Sequence, residues 1–133
     1  MESVLILTRE HVGEMIRHAD MLAPLEACGL LAGHAGRVDT ILPIANAEQS
    51  PARFRMDPIE QLRAFDQMDA RGLDLLGIFH SHPTGPEAVS PTDIAEAAYE
   101  VVHIVLSRFS GAWTARGFWI ENKQAKEVSL QVE

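Results

Sequence analysis

The sequence predicts an α+β fold in which a mixed β-sheet is flanked by two or three helices. Two stretches, residues 9–22 and 58–71, carry apolar side chains at helical spacing behind recognisable N-terminal caps. Short apolar runs of strand type precede, separate and follow these stretches. Because no repeat, linker or low-complexity segment divides the chain of 133 residues, we expect a single domain over residues 1–133.

The first third of the chain predicts a strand, a helix and a hairpin. Residues 3–7 are a short apolar run, and Thr8 suits the N-cap of the helix that follows. The predicted apolar face of that helix consists of Val12, Met15, Ile16, Ala19 and Leu22. Residues 26–33 are small and apolar, as in a buried strand whose glycines permit close packing, and Gly36 marks the turn into a strand over residues 38–44.

A second helix is predicted after a polar loop over residues 46–53. Asp57 suits its N-cap, Pro58 its first turn and Glu60 the third position, and Gly72 ends it. The residues expected on its buried face are Ile59, Leu62, Phe65 and Met68.

The remainder of the chain predicts four strands and a third helix. A strand over residues 73–79 leads into two histidines, and Ser90-Pro91-Thr92-Asp93 begins a helix that ends near Tyr99. The three strands expected after it span residues 101–107, 112–120 and 127–132, separated by turn residues such as Ser110-Gly111 and Asn122.

Composition narrows the class of partner. The net charge of −8 offers no basic footprint for nucleic acid or anionic lipid, so neither partner is expected. No apolar run approaches the ~18 residues of a membrane span, and the start MESVLILTREH lacks the pattern of a signal peptide. Cys28 is the single cysteine, so no internal disulfide can form, and we expect a cytoplasmic location.

The segment FHSHPTGPEAVSPTD, residues 79–93, has the residue types of a metal site. His80 and His82 are two apart on a predicted strand, so both imidazoles face one side with Cα atoms about 7 Å apart and can converge on one metal ion. With Cys28 as the only thiol, a closed thiolate site is excluded, and Asp93 is the best carboxylate candidate for a third ligand. Three protein ligands would leave a fourth position for water, as in catalytic sites.

Other interpretations of the same residues stay open at this point. The histidines could be two surface residues, and Asp93 could be only the N3 residue of a capping box whose N-cap is Ser90. A cupin-like metal site could use Glu87 and His103, although such a protein would be all-β. Large amidohydrolase barrels need a longer chain, and a zinc deaminase needs a Cys-x-x-Cys pair that this sequence lacks.

Taken together, these residues resemble the JAMM, or MPN-plus, zinc metalloproteases. The family signature is a glutamate on an early strand, then H-[ST]-H-P, and a serine and an aspartate at fixed spacing. Glu26 in EACGLLAG, His80-Ser81-His82-Pro83, Ser90 and Asp93 fill every position, with residues 83–89 between the second histidine and the serine. The segments NAEQSPARFRMDP and GIFHSHPTGP are similar to the short stand-alone bacterial members.

The resemblance implies an architecture and a set of roles. The fold would be the JAMM/MPN, cytidine-deaminase-like arrangement. His80, His82 and Asp93 would bind Zn²⁺ with a water completing the site, Glu26 would be the general base, and Ser90 would donate to the oxyanion. No cofactor other than Zn²⁺ is implied.

The implied activity is hydrolysis of the peptide or isopeptide bond after the C-terminal glycine of a ubiquitin-like, sulfur-carrier protein. The carrier's tail would be the protein partner, and the oligomeric state is left open, with a homodimer as one option. Alternatives are a non-catalytic MPN scaffold that docks partners, a cupin-like metal protein, and a zinc peptidase acting on small peptides.

Overall fold

The computed structural model describes residues 4–108 and 111–133, which form an eight-stranded mixed sheet with three helices. The helices are α1 (Arg9–Leu22), α2 (Pro58–Ala70) and α3 (Pro91–Glu96). The strands are β1 (Leu5–Leu7), β2 (Cys28–His34), β3 (Arg37–Ile44), β4 (Asp74–His82), β5 (Val102–Ser107), β6 (Thr114–Glu121), β7 (Gln124–Val128) and β8 (Leu130–Val132). The predicted α+β class is confirmed.

The strands lie in the order β7-β6-β5-β4-β2-β3-β1-β8. β4 and β5 run parallel, as β1 does to both β3 and β8, whereas β2–β3, β2–β4, β5–β6 and β6–β7 are antiparallel. Adjacent residues on β4 face opposite cores, because Phe79 packs in the core beneath α1 and Ile78 in the core beneath α2. The sheet therefore separates two hydrophobic layers, and any side chain on β4 belongs to one or the other.

The predicted helix starts are confirmed by cap geometry. The side chains of Thr8, Asp57 and Ser90 accept hydrogen bonds from backbone N–H groups in the first turns of α1, α2 and α3. The predicted apolar face of α1 is also confirmed, since Met15 and Ala19 are fully buried and the other members pack against the same core.

The glycine-rich strand β2 packs as closely as predicted. A Cβ atom at Gly29 would lie 2.6 Å from the carbonyl oxygen of Leu42 and would also collide with the Phe79 ring. Glycine at this position lets the aromatic side chain of β4 cross β2 at backbone distance.

The predicted buried face of α2 is wrong in its first half. Ile59 and Leu62 are 62% and 63% exposed, whereas Ala64 and Met68 are buried in the core beneath the helix. Ala64 and Met68, four residues apart, define the buried face, and at about 100° per residue Leu62 lies on the opposite side of the helix from Ala64.

The third helix is shorter than predicted. α3 ends at Glu96 because Ala97 has extended backbone angles, φ −63° and ψ 119°, and the chain then brings the Tyr99 ring to 6.0 Å from that of Phe65. Tyr99 therefore lies in the connection between α3 and β5, where its ring is a neighbour of an α2 side chain.

The predicted last strand over residues 127–132 is in fact parts of two strands. β7 pairs with β6 at one edge of the sheet, whereas β8 pairs with β1 at the other, and Ser129 alone separates them. The sheet must therefore curl until its two edges come together at this residue. The Leu5 backbone N–H donates to the Ser129 carbonyl at 3.4 Å, where the pairing of β1 with β8 begins. The predicted residues Ser3 and Ser110 lie outside the described ranges.

Among the described residues, no helix combines the length and apolar character that a membrane crossing requires.

Candidate metal centre

The carboxyl end of β4 presents His80 and His82 on the face that is covered by α2. The alternation of the strand predicts that both imidazoles share this face, and their Nε2 atoms lie 3.1 Å apart. His80 is fully buried and His82 is 4% exposed, so the interpretation as two surface histidines is wrong. The neighbouring parallel strand β5 is in register, with His80 opposite Val105 and His82 opposite Ser107.

Asp93 reaches the two histidines from the first turn of α3. Its Oδ2 atom lies 3.0 Å from His80 Nε2 and 3.2 Å from His82 Nε2. The same oxygen accepts the Ser90 backbone N–H at 2.8 Å, while the Asp93 backbone N–H donates to Ser90 Oγ at 3.0 Å. The predicted capping box is therefore present. It orients the carboxylate toward the imidazoles, so the role of Asp93 as a cap is compatible with a role as a metal ligand.

The donor set fits a tetrahedral metal ion. Bonds of about 2.0–2.1 Å from a tetrahedral Zn²⁺ place neighbouring ligand atoms about 3.3 Å apart. The three distances among His80 Nε2, His82 Nε2 and Asp93 Oδ2 are 3.0, 3.1 and 3.2 Å. Two imidazole nitrogens and one carboxylate oxygen are also the ligand types of catalytic zinc sites.

A hydrogen bond from the His82 ring to the Pro86 carbonyl oxygen orients the imidazole. Its Nδ1 atom lies 2.8 Å from the Pro86 carbonyl oxygen, which can only accept, so Nδ1 carries a proton and Nε2 is the nitrogen that a metal ion would use. Burial alone would lower the pKa of His82, but hydrogen bonds to Asp93 and Pro86 raise it overall. Burial lowers the pKa of His80, and the two imidazoles hold the pKa of Asp93 below its usual range despite burial. Asp93 is therefore a carboxylate in this site.

Glu26 lies beside the histidines although 54 residues separate it from His80. It is carried there by Ala27, whose backbone N–H donates to Ser81 Oγ at 2.8 Å and whose carbonyl accepts the Ser81 N–H at 3.0 Å. Carboxylate and imidazole ligand atoms of Glu26, His80 and His82 all lie within 4.8 Å of one another. The structure thus brings together all four residues that the sequence proposed for the metal and the general base.

The Glu26 carboxyl group is in an unusual environment. The residue is 3% exposed, and within the described part of the chain Oε1 has no hydrogen-bond partner. Burial raises the pKa of Glu26 to about 7, with a smaller opposing effect from His82. A carboxyl group with this pKa can both accept and release a proton near neutral pH.

Several site residues were not identified from the sequence. Phe54 stacks on His80 with ring centroids 4.6 Å apart and an interplanar angle of 19°, and Asn46 is 8% exposed in the same segment. The Pro86 carbonyl is a backbone group and leaves no sequence signal. The sequence shows an asparagine and an aromatic residue at the two ends of a polar loop, but only the path of the loop shows that Phe54 reaches His80 and that Asn46 reaches the backbone of Glu26.

A cavity of about 310 Å³ opens next to Asp93. Its lining includes Phe54, Met56, Ile78, Tyr99 and His103. This mostly apolar space borders Asp93, one of the three candidate ligands, and offers room for a side chain of a bound peptide.

The residues of the cupin-like alternative are used elsewhere. Glu87 accepts a hydrogen bond from the Thr114 hydroxyl at 3.0 Å, and His103 Nε2 lies 3.5 Å from the Tyr99 carbonyl oxygen. Three helices also exclude an all-β fold. Cys28 is buried, and burial raises the pKa of its thiol to about 12, so this thiol is not a ligand in the arrangement described.

Comparison with known proteins gives an independent assignment. Residues 8–120 match the family described as prokaryotic homologs of the JAB domain. A probable TtuB-protein conjugate cleaving protease from Thermus thermophilus is 36% identical over 130 residues, covering 97% of this chain and 83% of the relative. A CysO-cysteine peptidase from Mycobacterium tuberculosis is 37% identical over 105 residues, covering 77% and 72%. A desampylase from Pyrococcus furiosus is 31% identical over 134 residues, covering 98% and 92%.

Solved structures agree with this assignment. A protein from Desulfitobacterium hafniense, solved in solution, superposes with a TM-score of 0.87 at 33% identity, covering 97% of this chain and 92% of that protein. A JAB1/MPN domain protein from Archaeoglobus fulgidus, solved by crystallography, shares the fold with a TM-score of 0.65 at 18% identity, covering 97% and 96%. Both the matched sequence and the shared fold confirm the resemblance that the histidine segment suggested, and the chain belongs to the prokaryotic JAB/MPN family.

Proposed function

We propose that this protein is a zinc-dependent metallopeptidase that hydrolyses the peptide or isopeptide bond after the C-terminal glycine of a ubiquitin-like, sulfur-carrier protein. The observation that supports the proposal most directly is the convergence of His80, His82 and Asp93 with the buried Glu26 beside them. The relatives named as a TtuB-conjugate protease, a CysO-cysteine peptidase and a desampylase support the substrate class.

Three residues would hold the metal. His80 Nε2, His82 Nε2 and Asp93 Oδ2 supply the lone pairs, with the His82 ring fixed from behind by Pro86. When bound, Zn²⁺ supplies Lewis acidity, which lowers the pKa of a coordinated water from 15.7 toward about 7 and polarises the scissile carbonyl.

Glu26 would move the proton. Its carboxylate takes a proton from the attacking water as the water oxygen forms a bond to the carbonyl carbon. As the C–N bond breaks, the same proton passes from Glu26 to the departing amine, so the carboxylate is regenerated. Its burial beside the two histidines supports this role.

Ser90 would act on the oxyanion. Its Oγ atom already accepts the Asp93 N–H, which leaves the hydroxyl hydrogen available to donate to a developing negative charge. The cap and the oxyanion contact use different parts of one hydroxyl group. The whole chain would work as a single cytoplasmic domain, with the cavity beside Asp93 receiving part of the carrier's tail.

The first test is mass spectrometry of a ubiquitin-fold sulfur carrier that bears a C-terminal cysteine or short peptide. Wild-type protein with zinc should release the group after the terminal glycine. Glu26→Gln, which keeps the size of the side chain and removes its basicity, should lower turnover by about 10²–10⁴-fold and keep stoichiometric zinc.

Turnover and zinc content of Glu26→Gln together distinguish a general base from a metal ligand. Loss of zinc together with activity in Glu26→Gln would make Glu26 a ligand rather than the base. A zinc-loaded wild type that leaves the carrier intact would contradict the proposed substrate and favour small peptides or a scaffold role.

A further inference from the structure

We propose that Asn46 is a positioning residue that fixes the general base Glu26 and the ring of Phe54 against the metal site through a single, fully bonded side-chain amide. The role assigned to Glu26 rests on the proposed function, whereas the contacts of Asn46 do not. Asn46 is 8% exposed, lies two residues after the end of β3, and forms no hydrogen bond with a candidate metal ligand in the described part of the chain.

Asn46 lies just beyond the point where the pairing of β2 with β3 ends. Cys28 pairs with Ile44, so the next position of the same face would pair Glu26 with Asn46. The backbone of Asn46 instead forms a bridge with Met56, and its side chain takes the place of the missing ladder contact. Asn46 Nδ2 donates to the Glu26 carbonyl oxygen at 3.1 Å.

The side-chain amide of Asn46 uses both of its donor and both of its acceptor positions. Nδ2 also donates to the Arg53 carbonyl at 3.0 Å, and Oδ1 accepts the N–H groups of Glu48 and Arg55, each at 3.0 Å. Two carbonyl acceptors and two backbone donors allow one orientation of the amide only. A buried side chain with every donor and acceptor used is a rigid connection.

The Asn46 amide connects Glu26 to the loop residue that stacks on His80. Arg53 and Arg55 flank that residue, Phe54, and the amide forms hydrogen bonds to the backbone of both. The loop also returns to Glu26, because the Ser50 carbonyl accepts the Glu26 backbone N–H at 2.8 Å. Both backbone polar groups of Glu26 are therefore held by the segment that Asn46 organises.

In the described part of the chain, the Glu26 carboxylate is not held by a hydrogen bond at its buried oxygen. Within the described ranges its Oε1 atom has no hydrogen-bond partner, so no hydrogen bond of that oxygen fixes its place beside the histidines. The position of the carboxylate then depends on the backbone of Glu26, and the Asn46 amide is one of the contacts that hold that backbone.

The test compares Asn46→Ala with Asn46→Asp in the zinc-loaded, full chain. Asn46→Asp keeps the two acceptor contacts to Glu48 and Arg55 and loses the two donor contacts. Glu60→Ala is the matched control, because Glu60 Oε1 accepts the Ala45 N–H at 2.9 Å at the start of the same loop without touching Glu26 or Phe54. The readouts are zinc stoichiometry, kcat and KM for the carrier, and amide hydrogen exchange at Glu26 and at Ile104 in the core.

In both Asn46 variants kcat should fall by about 10–100-fold, with KM changed less than about 3-fold and zinc retained, since displacement of a catalytic group costs turnover more than binding. Exchange at the Glu26 amide should become at least about 10-fold faster while Ile104 is unchanged. Glu60→Ala should match wild type at Glu26 and in kcat.

Two results would overturn the proposal. Unchanged exchange at Glu26 in both variants would show that the amide does not hold this backbone, and equal acceleration at Glu26 and Ile104 would show a global structural role. An inactive wild type would contradict the proposed function alone, because the exchange measurement still decides whether Asn46 positions Glu26.

Discussion

The Asp93 carboxylate serves the helix cap and the candidate metal site with the same oxygen. Oδ2 accepts the Ser90 N–H at 2.8 Å and lies within 3.2 Å of both imidazoles. The two functions can be separated, because an amide oxygen satisfies the cap as well as a carboxylate does, while it lacks the negative charge that a divalent cation favours.

Asp93→Asn should therefore keep the fold and lose the metal. Zinc affinity should fall by more than the roughly 10–100-fold that loss of an outer partner costs, measured by competition with a chelator. Ser90→Ala is the control, since it removes a cap worth about 1 kcal/mol in thermal unfolding and leaves all three proposed ligands. Full zinc retention in Asp93→Asn would reduce Asp93 to a cap.

At this scale the sequence predicted the residues with short, fixed spacing. His80, His82 and Asp93 converge because one strand, one turn and one helix start connect them, and local rules describe each of these elements. Glu26 could be proposed only by resemblance to the family, because nothing local says that β2 neighbours β4. Asn46 could not be found, since its four partners are backbone groups brought together by an irregular loop.

Among the secondary-structure elements, β5 places a buried histidine on the face that carries the metal site. His103 is 3% exposed and lies opposite Ile78 of β4. Burial, with a smaller contribution from His80, lowers the pKa of His103 from 6.5 to about 4, although Tyr99 and Asp93 oppose the shift. The folded protein therefore prefers neutral His103.

This preference predicts acid sensitivity. Because the unfolded chain binds the proton more tightly, the stability that neutral His103 contributes is complete above about pH 6.5 and is lost as the pH falls toward 4. At pH 4.5 the loss should be about 2–3 kcal/mol. Because Glu26 and His80 also titrate with shifted pKa values, this loss is the difference between wild type and His103→Leu. Urea unfolding of both metal-free proteins at pH 7 and 4.5 measures it, and His103→Leu should lose about that much less stability in acid. Equal pH dependence in both proteins would contradict the shift.

The elements that the sequence described poorly are those decided by distant packing. The spacing of Ile59 and Leu62 is helical, but which side of α2 is buried is decided by packing on the sheet, and that side carries Ala64 and Met68 instead. Likewise α3 stops at Glu96, and the chain beyond it is extended and carries the Tyr99 ring to within 6.0 Å of Phe65. Propensity and caps place the start of an element well, whereas tertiary contacts determine its buried face and its end.

In the whole molecule, the two edges of the curled sheet are connected where β7 leads into β8. β7 and β8 lie at opposite edges of the strand order and are one residue apart in sequence. Leu130, the first residue of β8, is close enough to β6 that a Cβ atom at Gly117 would lie 2.8 Å from Leu130 Cδ2. A single strand over residues 127–132 was the natural prediction, because no sequence pattern reports that a strand changes its partner at Ser129.

The curl predicts that Leu130 stabilises the molecule more than its place near an edge would suggest. Its side chain packs against the core beneath α1, whereas Val132 on the same strand is 46% exposed. Leu130→Ala should lower the free energy of unfolding by about 2 kcal/mol, because it empties the space between β8 and Gly117 of β6. Val132→Ala, which alters the same strand by a similar truncation, should cost less than about 0.5 kcal/mol. Chemical denaturation of both variants measures the difference, and equal effects would mean that the two edges of the sheet are not held together at this side chain.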